Sequence, residues 1–466
     1  MQSFVVWNDE INERLDAGYF YSLQDIIYTK IKNSKYPIRK MRELASIVTK
    51  GESPLWKGDS FLKEGVPFLR GKNIKEGAIN FDDVVYISDS AHRRMRRSVL
   101  SGNYLLLTMA GTLGDVAFFK KGYPECNINQ DIAKIKLTDE FSYEYATVYF
   151  QTALAKKQIN ILSNGGTRSH LNFEQIKSFD VILPPISVQT KIVDIMQSAN
   201  NQKKQKETEA LRLLDSIDDY VITELGIKLP EVEGKMCFLV NSEEVRENRA
   251  DPYYYQPKFE EVEKAVRKGK YDLVNFATVT TDLKNGVEIR KYADEGYRYL
   301  RVTDLGKFGI IDNAPRLVAV EEIPERIKLH DNSFLISRSG SLGLVSVVEE
   351  KIKDVILSSH IFKVDLDISK ILPAYLEAFF RSTLGQIQFF RNNNGGIVPE
   401  ISQSALKYLM VVIPPLEIQN KIAEEVKRRI SEAERLKAET SKIIEEAKKQ
   451  VEEMILGIEI VEGGNG

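Results

Sequence analysis

Apolar positions recur every three or four residues through two long stretches of the chain. Elsewhere they fall into short blocks broken by Gly, Asn and Asp. After Pro185 the stripe is Ile192, Met196, Ala199, Leu211, Leu214, Ile217, Val221 and Leu225. After Pro415 it is Ile422, Val426, Ile430, Ala433, Leu436, Ile443, Ala447, Val451 and Met454. Neither stretch holds a proline or glycine before Gly226 and Gly457. The spacing predicts two helices of roughly 40 residues, about 60 Å long, each with a glycine stop. A helix of that length with one apolar stripe needs a partner. The two could each pack on their own module, or pair with one another antiparallel. The short blocks rich in Val, Ile, Leu and Phe read as strands and turns, and residues 144–161 and 372–390 carry helical spacing. The modules between the long helices are therefore expected to be mixed α+β.

The pattern is written twice. Asp180-Val-Ile-Leu-Pro-Pro-Ile-Ser-Val-Gln-Thr-Lys-Ile192 returns as Met410-Val-Val-Ile-Pro-Pro-Leu-Glu-Ile-Gln-Asn-Lys-Ile422, and Pro184 and Pro414 are 230 residues apart. Arg14-Leu-Asp-Ala-Gly-Tyr-Phe-Tyr21 is answered by Arg249-Ala-Asp-Pro-Tyr-Tyr-Tyr255, and the run from Val66 to Ile74 by that from Tyr297 to Leu305. Leu105-Leu-Leu-Thr-Met-Ala-Gly-Thr-Leu-Gly114 is answered by Phe334-Leu-Ile-Ser-Arg-Ser-Gly-Ser-Leu-Gly343, and Asn164-Gly-Gly166 by Asn394-Gly-Gly396. Five anchors in one order at a nearly constant offset are a duplication. A pseudo-two-fold axis that exchanged the halves would exchange the helices and reverse their direction. Residues 1–25 match the segment that follows the first helix, so they should pack where the second helix ends.

Composition narrows the class. The chain has 466 residues, 43% hydrophobic and 28% charged, which fits two or more globular domains. Its formal charge of −2 lacks the overall basic footprint of a nucleic-acid binder, so any such contact must rest on local faces. Cys126 and Cys237 supply no disulfide framework, and with His92, His170, His330 and His360 they form no zinc spacing. No apolar run approaches the ~20 residues of a membrane helix, and the first residues carry acids where a signal peptide has bases. A cytoplasmic address is expected.

No catalytic motif emerges. Asp251-Pro-Tyr-Tyr254 imitates the target-base loop of amino-methyltransferases, but it has no second proline and no glycine-rich partner. Gly71-Lys-Asn73 lacks phosphate-loop spacing, Glu233-Gly-Lys235 is a lone nuclease-like match, and nucleophile elbows are absent. The loops instead suit contact with phosphates and base edges. Thr108, Gly111 and Thr112, and Ser337, Arg338, Ser339, Gly340 and Ser341, follow apolar strands, where glycine lets backbone N–H groups approach an anion. A plain hairpin turn would read the same way. The loop of Gly165, Gly166, Thr167, Arg168 and His170 adds a cation and an imidazole that Asn394, Gly395 and Gly396 lack. Arg93, Arg94, Arg96 and Arg97 form the most basic run outside the long helices. Arg70, Lys72 and Asn73, with Arg301, Thr303 and Asp304, complete the candidate faces, since Arg and Asn pair bidentately with guanine and adenine.

These features together resemble the specificity subunit of type I restriction–modification systems: the twofold repeat, the Arg-x-Asp-x-x-Tyr entries at Arg14 and Arg249, the Gly-Thr/Ser-Leu-Gly turns and the Pro-Pro exits into helices. The similarity covers essentially the whole chain. It implies an α+β fold with two similar mixed α/β target-recognition domains in pseudo-two-fold arrangement, separated by two long antiparallel helices forming a coiled-coil spacer. The corresponding segments are 1–185, 186–228, 229–415 and 416–458, with a flexible tail over 459–466. The resemblance implies a non-catalytic chain that reads a bipartite double-stranded DNA target. Methyltransferase subunits, two of them, and restriction subunits would dock on it and use S-adenosylmethionine, ATP and magnesium. Docking is expected at positions around Leu211, Leu214, Ile217, Val221, Leu225, Leu436, Ile443, Ala447, Val451 and Met454. A protein–protein scaffold without DNA binding is the alternative.

Overall fold

A buried glutamine explains why the Pro-Pro exit is repeated. In the computed structural model, which describes residues 26–163, 169–230, 237–247, 249–311, 315–330, 333–348, 352 and 354–458, the strand Asp180–Ile182 stops before Pro184, and a 39-residue helix, Ile186–Glu224, begins directly after Pro185. Gln189, 1% exposed, sits one turn in. Its Oε1 accepts the Ser142 N–H at 3.1 Å, and its Nε2 donates to the carbonyls of Glu140 at 2.8 Å and Pro184 at 3.0 Å. In the second copy Gln419 is fully buried. It accepts from Leu372 N at 2.8 Å and donates to Lys370 O and Pro414 O, both at 2.9 Å, at the start of the 41-residue helix Leu416–Leu456. Proline has no N–H to donate, so a side-chain amide satisfies the backbone around the exit. Gly226 and Gly457 follow the two helices with φ of +68° and +72°.

The chain divides into two compact units with boundaries between Gln205 and Lys206 and between Ala438 and Glu439. The first unit takes the residues outside these boundaries and the second those inside. Both boundaries fall within the long helices, because each half-helix belongs to a core. Ile192, Val193, Met196 and Ala199 join Ala447, Val451 and Ile455 in the core of the first unit. Ile217, Val221 and Leu225 join Ile422 and Val426 in the core of the second. Within the second unit the pairing is antiparallel. Arg429 donates to Ser216 O at 2.7 Å and Lys421 to Glu224 at 2.8 Å, so eight residues forward on one helix are eight back on the other.

Each unit is built on the same two-sheet plan, with one strand fewer in the second unit's companion sheet among the described residues. In the first, Ala45–Lys50, Ile132–Leu137, Tyr104–Thr108 and Val116–Phe119 form an antiparallel sheet in that order. A second sheet runs Val85–Ile87, Val66–Leu69, Cys126–Ile128, Val99–Leu100, with Val66–Leu69 and Cys126–Ile128 parallel. In the second unit the antiparallel order is Thr280–Asn285, Ile361–Leu366, Ser333–Ser337, Val345–Val347. Its companion sheet is Arg316–Val318, Tyr297–Leu300, Val355–Leu357, again with a parallel pair. The central strands are buried on both faces, and alternate side chains serve different cores. Leu105 and Leu107 face the long-helix core while Leu106 faces the second sheet; Phe334 and Ile336 against Leu335 repeat the split.

The helices expected over 144–161 and 372–390 are each broken in two, at Thr152 and Ser382. Both residues are extended, and their hydroxyls donate back to the carbonyls of Tyr149 and Phe379 at 2.6 Å. A carboxylate from a long helix then caps each following helix. Glu452 accepts from Ala153 N at 2.5 Å, and Asp218 from Thr383 N at 2.7 Å. The first unit is thus served by the start of the first long helix and the end of the second, the second unit by the reverse.

Burial corrects the expected docking residues. Val221, Leu225 and Val451 are fully buried, and Ile217, Leu436 and Ala447 are nearly so. Leu214, Ile443 and Met454 are half-buried against the cores. They are the inner stripe, spent on packing, and only Leu211 of the set is exposed, at 56%. The expected packing of residues 1–25, the Arg14 entry and the tail 459–466 lie outside the described residues. Lys35 donates its N–H to Leu456 O at 3.0 Å.

Candidate nucleic-acid interface

In the first unit the strand Val66–Leu69 ends in a tight turn held by Asn73, which is 1% exposed. Its Oδ1 accepts Arg70 N at 2.9 Å, and its Nδ2 donates to Asn80 O at 3.2 Å and Asp83 O at 2.9 Å. Every polar atom of this amide is taken by backbone, so Asn73 shapes the turn. Lys72 is paired with Asp83, whose carboxyl it holds below its ordinary range through a hydrogen bond. Arg70 differs. Its Nε is buried without a hydrogen-bond partner, and its guanidinium lies 5.9 Å from the Phe61 ring centroid.

This turn rests on the Gly111 loop: a side chain at Gly71 would meet Thr108 and Thr112 at 3.9 Å. Thr108 is fully buried, and its hydroxyl accepts Asp115 N at 2.8 Å and donates to Thr112 O. It closes the loop from beneath. Met109 N donates to Asp131 O at 2.6 Å and Leu171 N to Met109 O at 2.9 Å, which brings exposed His170 and the turn Asn129-Gln130-Asp131 to the same edge. Asp131 accepts from Asn129 Nδ2 at 2.8 Å, while Asn129 Oδ1 is buried without a partner. Gly165, Gly166, Thr167 and Arg168 lie outside the described residues.

The arginine cluster is anchored elsewhere. Its short helix, Asp89–Arg94, is capped by Ser88, and Asn127 ties it to the second sheet by accepting or donating at His92 (2.6 Å), Ser98 (2.6 Å) and Met95 O (3.1 Å). Arg94 chelates Asp59 at 2.6 Å, and Arg97 lies 3.7 Å from Glu52. Arg93 and Arg96 are exposed.

The second unit builds the same edge from different chemistry. Asp304 occupies the place of Asn73 and holds Arg301 at its N (2.8 Å), its Nε (3.2 Å) and its outer nitrogen (2.9 Å). Arg338 N donates to His360 O at 2.7 Å and Ile401 N to Arg338 O at 3.0 Å, as Met109, Asp131 and Leu171 do in the first unit. The Arg338 guanidinium pairs with Glu400 at 2.6 Å, and Ser339 Oγ lies 2.5 Å from His360 Nδ1. Ser337 is fully buried, accepts Leu344 N at 2.8 Å and plays the part of Thr108. Ser341 and Asn394 are exposed. Arg301, Thr303, Ser339, Gly340 and His360 line one concavity of about 590 Å³ with Tyr292 and Val398, and buried Ser358 presents to it an Oγ with no partner.

The structure therefore gathers Arg70, Thr112, Gly111 and His170 on one edge, and Arg301, Thr303, Arg338, Ser339 and Gly340 on the other. It withdraws Asn73, Asp304, Thr108 and Ser337 into the scaffold. Sequence reasoning passed over Tyr292, His360, Asn129 and Asp131. The one available signal was the polar triplet between two buried strands at 129–131 and again at 358–360. Among the described residues no cluster of His, Cys, Asp or Glu could hold a metal ion, and no helix is long and apolar enough to cross a membrane.

Comparison with known proteins agrees with this architecture. The model of the type I restriction modification DNA specificity domain matches twice, at residues 33–212 and 270–446. The specificity subunit of the type I restriction enzyme EcoAI from Escherichia coli is 25% identical over 179 residues, which are 36% of this chain; the match spans less than a third, 30%, of that protein. A solved structure described as the structural basis of complex assembly and conformational transition of the type I R-M system has the same fold. Its TM-score is 0.55 at 13% identity, over 91% of this chain and 98% of that one. The S subunit of a type I system from M. genitalium aligns over 91% and 96% of the two chains at 13% identity and a TM-score of 0.44. With two matched segments that cover most of its length, the chain belongs to the type I restriction modification DNA specificity domain family.

Proposed function

We propose that this chain is the DNA-recognition subunit of a type I restriction–modification complex. Each unit reads one part of a bipartite double-stranded DNA target, and no catalytic step resides in the chain. Two methyltransferase subunits and the restriction subunits dock on it in the cytoplasm and bring the chemistry that uses S-adenosylmethionine, ATP and magnesium. The observation that carries this reading is one loop frame with two sets of side chains. Met109, Asp131 and His170 stand where the second unit has Arg338, His360 and Glu400. Two readers of different base sequences need the same frame and different edges.

Backbone N–H groups and arginines at the edges position phosphates, and polar side chains face the groove. Arg70 at the edge and Arg93 and Arg96 around a separate short helix serve the first unit, and Thr303, Ser339 and His360 the second. Exposed positions of the long helices such as Leu211 are available to partner subunits.

Sequencing methylated adenines in cells that carry this chain with its methyltransferase partner tests the reading. A motif of two fixed parts around an unspecified spacer is expected; absence of sequence-specific methylation would refute it. Binding that ignores salt would favour the scaffold alternative, because phosphate contacts weaken steeply with salt.

A further inference from the structure

The loop from Asn392 to Glu400 is tied down at its base and apolar at its tip. Asn393 Oδ1 accepts the N–H groups of Gly395 at 3.0 Å and Glu400 at 2.9 Å. Asn394 N donates to Glu400 O at 2.7 Å, and Gly340 N to Pro399 O at 2.9 Å. A Cβ at Gly395 would lie 1.8 Å from Val398 O, so the chain doubles back tightly enough that only glycine fits. At the turn Ile397 is 102% exposed and Val398 57%. Val398 also lines the concavity that holds Arg301, Ser339 and His360.

Ile397, wholly in water, adds nothing to folding stability; its apolar area is removed from water only by something that binds. Its surroundings name the occupant. Arg301 lines the concavity in an ion pair with Asp304, Arg316 lies 5.2 Å from the Tyr292 ring centroid, and the tip rises beside Thr303, Ser339 and His360, on the edge assigned to DNA. In the major groove the one apolar group a base pair presents is the C5-methyl of thymine.

We infer that Ile397, with Val398, reads a thymine methyl group in the half-site recognised by the second unit. The inference rests on the proposed DNA-reading function. In sequence the aligned positions of the first unit are Thr167 and Arg168, so this apolar contact is confined to one half of the target.

The test uses the assembled complex with its methyltransferase subunits and duplexes carrying the motif found by methylation sequencing. Thymines of the second half-site are replaced one at a time by uracil, which removes only the methyl group. One replacement weakens binding about fourfold, the worth of one buried methyl. Ile397→Ser, and the double variant with Val398→Ser, bind thymine and uracil duplexes equally while retaining the wild-type melting temperature. Uracil tolerated at every position, a fourfold loss that persists in both variants, or a second half-site without an A·T pair would overturn the inference and leave the bipartite reading intact. Loss of co-purification with the methyltransferase in Ile397→Ser would make the tip a protein contact instead. Failure of the unsubstituted complex to prefer any sequence would sink both readings together.

Discussion

Asp304 holds the Arg301 guanidinium through two contacts, at 3.2 and 2.9 Å, and in the first unit the equivalent Asn73 takes only the Arg70 N–H, at 2.9 Å, and has no charge to set against the guanidinium. The same turn therefore presents an arginine gripped by its own turn's carboxylate in one reader and one held by a neutral amide in the other. Arg70→Ala should weaken DNA binding and lower the slope of log affinity against log salt by about one. Arg301→Ala should change that slope less. Asp304→Asn keeps an acceptor for Arg301 N but frees the guanidinium, and should steepen the slope. Fluorescence anisotropy across a salt series reads all three; identical slopes would contradict the asymmetry.

Gln189 and Gln419 each satisfy three backbone groups at a Pro-Pro exit. Leucine has a similar volume and no polar atom, so it leaves those groups buried and unpaired. Either substitution should cost about 3 kcal/mol. Urea unfolding followed by circular dichroism measures it, and a loss below about 0.5 kcal/mol would show that water replaces the amide.

Burial separates packing from docking on the long helices. Val221→Asp and Val451→Asp place a carboxylate in the two cores and should cost at least about 3 kcal/mol. Leu211→Asp should leave the melting temperature unchanged, because that side chain is exposed. If Leu211 touches a methyltransferase subunit, co-elution falls for this variant alone. A stable Val451→Asp chain would contradict the core assignment.

Glu425 gives the helix pair an acid-sensitive contact. Hydrogen bonds from Arg428 and then Arg429 push its carboxyl down from 4.5 to about 2, and Arg429 also donates to Ser216 on the other helix. A carboxyl depressed in the folded state stabilises fully above its unfolded value, and that contribution is lost as pH falls from 4.5 towards about 2. Glu425→Gln should therefore lower the stability at neutral pH, by less than about 1 kcal/mol for a pair at the surface of the helices, and with it the melting temperature. The gap to the unsubstituted chain should close on acidification. A gap that is constant with pH would assign the effect to packing.

Much of the architecture was legible because it is written twice. The Pro-Pro exits, the glycine stops at Gly226 and Gly457 and the Gly111 and Gly340 turns are backbone demands, which sequence states openly. Side-chain partnerships were not legible. Thr152 and Ser382 end their helices through hydroxyls that fit helical spacing as well as any other residue. Periodicity marked Val221 and Val451 as apolar and in line, but could not say whether that line faces a core or a partner. For the same reason Arg338 and Arg301 looked free until Glu400 and Asp304 were found beside them. His360 and Asp131 reach the reading edges through strand pairing between residues far apart in sequence.

The central claim is that each unit reads its own half of the target independently. Exchanging residues 33–185 for the matching segment of a relative with a different motif, and sequencing methylated adenines in cells carrying the hybrid and its partners, tests it directly. The account predicts that one half of the motif changes and the other stays as it was; a change in both halves at once would contradict it.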